Sequence, residues 1–223
     1  MAKAKAALEA AEAAKAKAAL EAEQAAKEAA KAKSGDGVHV SGKNPIEIRQ
    51  AENTKLRESK QYAKDKEKVG VSDEQIAAME HKKTPLGFKD EAQFGEFKGE
   101  MNSALDKAGL ADSEIGLKGT ATTFYSENPS KPLGHHWDAD LKAPSDYDLN
   151  ITSRSMVDRM ESAGISPSDK YNVYKTSDIE ASFPELRAFQ EKWSTTLDRE
   201  VNFVGYPSTT PRDVTEFILR GKK

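Results

Sequence analysis

The chain contains no cysteine, so disulfides, zinc-thiolate centres, iron-sulfur clusters and cysteine nucleophiles are excluded together. The redox compartment is left open by the same absence. No apolar run approaches the roughly 20 residues that span a bilayer, and the N-terminus carries lysines without the hydrophobic segment of a signal peptide. Export would then need another domain or machine. An excess of one charge is also missing: 34 basic residues against 37 acidic ones leave a formal charge of -3. That balance gives no global case for a nucleic-acid coat or an acidic-membrane binder, and confines any basic site to a local groove. Hydrophobic residues make up only 37% of the 223, and the shortfall is concentrated at the front. The length suits one ordinary domain plus an extension.

Residues 2–33 are alanine, lysine and glutamate with two leucines and one glutamine, all strong helix formers, and predict a long Ala/Lys/Glu helix. Leu8 and Leu20 are its only large apolar side chains, enough for a weak coiled coil or a loose packing contact. The text AKAKAALEAAEAAKAKAALEAE repeats with a period of twelve, as a duplicated helical spacer would. Ser34-Gly35-Asp36-Gly37 stops the helix, since glycine admits the left-handed C-cap and Ser and Asp satisfy free backbone groups. The expected organisation is an extension or linker over 1–37, a linker with peripheral helices over 38–84, and a compact domain over 85–223.

Within the body, 45–68 is charged and helix-compatible with few apolar anchors, which suggests a marginal helix. Ser72 and Gln75 form a capping-box pair ahead of Ile76 and Met79, and Thr84-Pro85-Leu86-Gly87 breaks that short helix. Phe94, Phe97, Met101, Leu105 and Ala108 recur at three- and four-residue spacings and give 90–108 one buried helical face. Strands are expected at 115–118, at 146–151 by alternation, and at 201–206. Ser153 caps a helix carrying Met156, Val157 and Met160; Ser182 with Glu185 is expected to cap another carrying Leu186, Phe189, Trp193 and Leu197. Thr210-Pro211-Arg212-Asp213 reads as a helix start leading into Val214, Phe217, Ile218 and Leu219. The fold class is therefore α+β, a small mixed sheet with surrounding helices.

The chemical content lies between the first two strands. In SDYDLNI, Asp146 and Asp148 are two apart, so a strand projects both carboxylates to one face while Tyr147, Leu149 and Ile151 take the other. Neighbouring carboxylates repel, and a shared hard divalent cation, Mg²⁺ or Mn²⁺, offsets the repulsion. Such a pair suits metal-dependent phosphoryl transfer. Upstream, Gly119-Thr120 follows a predicted strand, where exposed backbone amides and the threonine hydroxyl can take phosphate oxygens.

Helix, strand, glycine-hydroxyl turn and a strand bearing Asp-x-Asp together resemble the nucleotidyltransferase superfamily, whose core is of DNA-polymerase-beta type. Through LKGTATTFYS, PSDYDLNI and REVNFVGYP, the chain looks like the nucleotidyltransferase-like C-terminal domains of bacterial polymorphic toxins, over about residues 86–220. The resemblance implies that 85–223 is a nucleotidyltransferase-like catalytic domain. It assigns Gly119, Thr120 and Ser145 to the phosphate side of the site and Asp146 and Asp148 to the metal. The superfamily places a third carboxylate on a later strand, for which Glu200 is the nearest candidate and Asp198 the reserve. The implied activity is transfer of a nucleotidyl group from an NTP to an RNA, small-molecule or protein hydroxyl by a bacterial toxin or effector. Such an effector would be secreted or injected, act in the target-cell cytoplasm and meet a cognate immunity protein. The alternatives are a cytoplasmic protein, pyrophosphoryl transfer with the same acids, and an inactive transferase fold serving as a binding module.

The 25-residue interval before Ser145 is too rich in proline, glycine and polar residues for one helix and is expected to be a loop over the site. In it Lys131 can neutralise phosphate, His135 or His136 can bond a substrate hydroxyl, and Trp137 can either stack on a base or cap the core. Arg154, a few residues past the Asp-x-Asp strand, is a further candidate for the triphosphate. Zinc is disfavoured, since the two local histidines are adjacent and point apart. No nucleophile elbow supports a serine triad, and GLKGTAT lacks the lysine-serine ending of a P-loop.

Overall fold

Asn44 begins the fold by capping α1 (Pro45–Arg57): its side chain accepts from the Ile46 N–H, and Glu47 reaches back to the Asn44 N–H. Proline stands at the first turn, where its missing N–H has no partner to lose. A computed structural model describes residues 44–140, 142–207 and 216–221. The expected helix over 2–33 and the helix start at Thr210-Pro211-Arg212-Asp213 lie outside those residues. Ser59 opens α2 (Lys60–Val69), which Gly70 closes in left-handed geometry, and the expected Ser72/Gln75 capping box opens α3 (Asp73–Glu80). These helices are part of the compact unit that begins at Asn44, with Leu56 and Tyr62 packed against its core.

Asp90 caps α4 (Glu91–Lys107), whose Phe94, Phe97, Met101 and Leu105 are buried as their spacing requires. Then follow β1 (Glu114–Lys118), the single turn α5 (Thr120–Thr123), β2 (Tyr147–Thr152) and α6 (Arg154–Ser162), the last capped by Ser153. The chain continues through α7 (Thr176–Ser182), α8 (Pro184–Leu197), β3 (Val201–Tyr206) and β4 (Phe217–Arg220). Two expectations are corrected here. Ser182 ends α7 rather than capping α8, whose start is set by Phe183 and by Pro184 at its first position. Phe217, Ile218 and Leu219 form a strand, not a helix: Phe217 and Leu219 are buried while Ile218 is 51% exposed, a period of two.

The four strands form a mixed sheet in the order β3-β2-β1-β4, with β1 antiparallel to β2 and β4, and β2 parallel to β3. Its inner face carries Ile115, Leu117, Tyr147, Leu149, Ile151, Val201 and Phe203, all fully buried. Against it packs an aromatic layer in which the Phe97 ring lies 5.1 Å from both Phe189 and Trp193, and Phe189 lies 6.0 Å from Phe203. Each such ring contributes roughly 1.5–3 kcal/mol by leaving water. The opposite face is polar. Lys118 pairs with Asp148 across β1 and β2, and Asp148 pairs with Asn202 across β2 and β3. Helices α4 and α8 thus cover one side of the sheet with apolar contacts, and the candidate site residues stand on the other.

Candidate functional site

Where β1 ends, Gly119 takes φ +101°, with open space at the position a Cβ would fill; the backbone angle, not crowding, selects glycine there. Thr120 begins the next turn, and its hydroxyl donates to Ser145 Oγ at 3.3 Å. That contact ties the glycine turn to the start of the Asp-x-Asp strand. Ser145 is fixed further by a reciprocal pair with Asp138: the Asp138 N–H donates to Ser145 Oγ and the Ser145 N–H donates to Asp138 Oδ1, both at 2.9 Å. Arg199 then grips Asp138 with both guanidinium nitrogens, at 2.8 and 2.9 Å, and donates to the Ser145 carbonyl at 3.3 Å. Its guanidinium lies 4.4 Å from the centre of the Trp137 ring. The side of Ser145 that the resemblance assigns to phosphate is therefore occupied by a clasp that positions Asp146.

Asp146 is exposed at the mouth and Asp148 is half-buried two residues inside β2. Burial, reinforced by the Asp146 charge, pushes the Asp148 carboxyl up to about 6. Tyr147 points the other way and donates its hydroxyl to the Leu86 carbonyl at 2.7 Å. Its ring and Trp137 crowd Gly87 so closely that a Cβ there would meet the Tyr147 hydroxyl at 2.1 Å. The Tyr147 N–H donates to the Glu200 carbonyl at 2.8 Å, and the Tyr147–Val201 pair puts Glu200 opposite Asp146. Residues paired across parallel strands share a face, so Glu200, Asp146 and Asp148 stand on one side of the sheet. Asp198, the reserve, is exposed in the left-handed C-cap of α8 and opens on the same groove.

That groove has a volume of about 940 Å³ and is bordered by Gly119, Thr120, Lys131, Ser145, Asp146, Asp148 and Glu200, brought from four separated segments. Lys131 is exposed on its loop side. Of the sequence-derived candidates, Arg154 is not among the residues that border it. Arg154 begins α6 beyond the far end of β2, pairs with Asp158 at 2.8 Å and borders a different depression. The chain-distance reasoning that recommended Arg154 fails because a six-residue strand carries it away from Asp148. Trp137 is 2% exposed and has the core-capping role, not the base-stacking one. His136 is buried too, stacked parallel on Phe124 at 5.5 Å with Nδ1 2.8 Å from the Trp137 carbonyl oxygen, which leaves it no reach to a substrate hydroxyl. His135 does border the groove. Burial, then the Lys131 charge and His136, hold its pKa below the usual histidine value, so it is neutral near pH 7 and able to accept a proton.

Three functional placements had no signal in the sequence. Arg199 and Asp138 are 61 residues apart, and nothing local marks either as a partner of the other. Asn150 lies on the same face as Asp148, which alternation implies, but only tertiary packing makes it the floor of a second cleft. The third is a ladder on α1: Arg49 donates to the carbonyls of Asn128, Lys131, Pro132 and Pro129, Asn53 to that of Ser126 and Arg57 to that of Thr123. These three residues are spaced four apart on one helical face and hold the loop that borders the groove.

Among the described residues no group of three or more His, Cys, Asp or Glu is placed to hold a metal ion. No helix of the described residues is long and apolar enough to cross a membrane. Comparison with protein-family models, with curated proteins and with solved structures found no match to the chain.

Proposed function

We propose that the groove is the active site of a metal-dependent nucleotidyltransferase, and that the chain is a toxin or effector domain of that kind. The observation that carries the activity is the convergence of the Gly119-Thr120 turn, the Asp146/Asp148 pair and Glu200 on one groove on the polar side of the sheet. The effector role rests on the resemblance of the three segments around those residues, and an immunity protein and a target-cell location follow only from it.

Two carboxylates two residues apart at the start of β2, one with its pKa raised by burial and by its neighbour's charge, suit a Mg²⁺ or Mn²⁺ ion that relieves their repulsion. Mg²⁺ is commonly held by one or two carboxylates together with substrate phosphates, a role Asp146 and Asp148 could fill. Asp146 and Asp148 would hold the ion, and when bound it supplies charge neutralisation at the phosphates. The Gly119 and Thr120 backbone and Lys131 orient the triphosphate. The acceptor hydroxyl oxygen bonds to the α-phosphorus as the bond from that phosphorus to the oxygen bridging the β-phosphate breaks. Pyrophosphate leaves with the electron pair, the nucleoside monophosphate stays on the acceptor, and the hydroxyl proton passes to a Glu200 carboxylate oxygen. His135, neutral and on the groove wall, is the second base in reach of the same space.

The test is incubation of the protein with each NTP, Mg²⁺ or Mn²⁺, and total RNA or cell lysate, with products resolved by mass. An acceptor heavier by one nucleoside monophosphate is expected, together with free pyrophosphate, and both should vanish with Asp146→Asn/Asp148→Asn. A mass gain of pyrophosphate would move the reading to pyrophosphoryl transfer. No product with any nucleotide, and NTP affinity indifferent to the double substitution, would leave only a binding module.

A further inference from the structure

The polar side of the sheet carries a second cleft, of about 340 Å³, that meets the catalytic groove at Asp148 and Gly119. This is within the range of sites that enclose small ligands, about 300–1,000 Å³. Asn150 forms part of its floor and is 9% exposed, yet its amide makes no hydrogen bond among the described residues. Its amide opens on the cleft, where a ligand can meet its two donors and its acceptor. Its partners in the sheet are Gly116 and Val204, and the Glu216 carboxylate lies over Gly116 on the same face.

The walls define what the amide would meet. Tyr206 is half-buried at one side and lines the cleft together with Asp148. Ile46 and Pro129 supply apolar surface, and Lys118 stands at the edge beside Asp148. Asn128 and Ser126 add further polar groups on the loop side, so an aromatic ring and aliphatic surface beside amides suit a flat, partly apolar ring with adjacent donors and acceptors along one edge. Nucleobases have that chemistry: they stack on aromatic side chains and are read by amides through paired hydrogen bonds.

We infer that this cleft is a nucleobase subsite in which Asn150 reads the base edge, placed so that the attached sugar and phosphate enter the catalytic groove past Asp148. The inference deepens the nucleotidyltransferase reading and rests on it for the phosphate side alone. The base belongs either to the NTP or to the terminal nucleotide of an RNA acceptor, and the two sources separate experimentally.

Binding is measured by calorimetry to the full chain with four probes: the NTPs, inorganic triphosphate with Mg²⁺, the four nucleosides, and a short single-stranded RNA with a free 3′ hydroxyl. At least one base-bearing probe should bind at least tenfold more tightly than its base-free counterpart, and Asn150→Ala should remove that margin while leaving inorganic triphosphate binding unchanged. Loss confined to the NTPs assigns the base to the donor, and loss confined to the RNA assigns it to the acceptor. Because Asn150 has no partner to abandon, Asn150→Ala is expected to fold; Asn150→Thr, a polar strand former of similar size, serves if it does not. A margin that survives both variants, or no margin with any base-bearing probe, overturns the subsite. Triphosphate that fails to bind while a nucleoside margin persists overturns the phosphate site and leaves the subsite standing.

Discussion

Asp148 shows how one side chain joins stability to function. Its carboxyl is displaced from the ordinary 3.8 up to about 6, by burial first and by Asp146 second. A carboxyl whose folded pKa exceeds its unfolded one binds the proton more tightly when folded, so the native state loses stability as pH rises from about 4 to about 6 and stays penalised above that. The displacement corresponds to at most about 3 kcal/mol, and to less for a half-buried group screened by solvent. Asp148→Asn is therefore expected to raise the melting temperature at pH 8 in the absence of divalent ions and to change it little at pH 4. Thermal unfolding of both proteins at the two pH values decides it, and an equal gain at both would refute the charge explanation. Mg²⁺ should reverse the ranking at pH 8 by stabilising only the protein that keeps both acids, and that benefit should fade below about pH 6 as protons compete. The Asp-x-Asp spacing was legible in the sequence, but the separate environments of its two acids were not, since Asp148 shares a cleft with Lys118, Gly119 and Tyr206 from distant segments and Asp146 does not.

The α1 ladder belongs to a helix whose apolar content gave little reason to dock. Its Arg49 guanidinium is 11% exposed and satisfies carbonyls at four positions of the loop between Asn128 and Pro132. The Asn128 and Pro132 carbonyls also accept from the Lys131 and His135 N–H groups, and the charged fork from outside the loop adds to those bonds and reaches the Pro129 and Lys131 carbonyls as well. Arg49→Ala should cost about 1.5–3 kcal/mol, the range for hydrogen bonds to a charged group, and should speed amide exchange across residues 126–137. Arg49→Lys should recover little, because an ammonium cannot span several carbonyls as a planar fork does. Urea unfolding combined with hydrogen exchange measures both effects, and loop exchange unchanged in Arg49→Ala would show that α1 merely lies alongside. β4 gives the complementary lesson. Phe217, Ile218 and Leu219 are as compatible with a helix as with a strand over so short a run, and pairing with β1, about a hundred residues away, decides between them.

For the molecule as a whole, the compact unit begins at Asn44, whose capping box closes the first helix of the fold. A chain shortened to begin at Asn44 is expected to unfold cooperatively and to keep the full chain's NTP binding. One shortened to begin at Gly70 should lose both, because it lacks the α1 ladder and the bond from the Tyr125 hydroxyl to Asp65 of α2 at 2.8 Å. Circular dichroism melts and calorimetry on the two proteins provide the comparison. Cooperative unfolding and intact binding in the shorter one would return α1 and α2 to the status of a peripheral attachment.

The sequence by itself determined the elements whose information is local. The buried face of α4, the Ser72/Gln75 box, the Ser153 cap and the alternation of β2 are written in spacings of two to four residues, and each appears in the structure. It also offered Gly119, Thr120, Asp146 and Asp148, because a turn and a strand edge can be read locally, and Lys131 on its loop, while Ser145 and Glu200 were candidates only through the resemblance. Only the tertiary structure decided that these residues border one groove, that Arg154 does not, and that Arg199, Asp138, Arg49 and Asn150 surround it. The reason is physical: a helix cap or strand face is fixed by neighbours within a turn or a pleat. A salt bridge across 61 residues, or a cleft lined by several strands and loops, exists only once distant segments have come together.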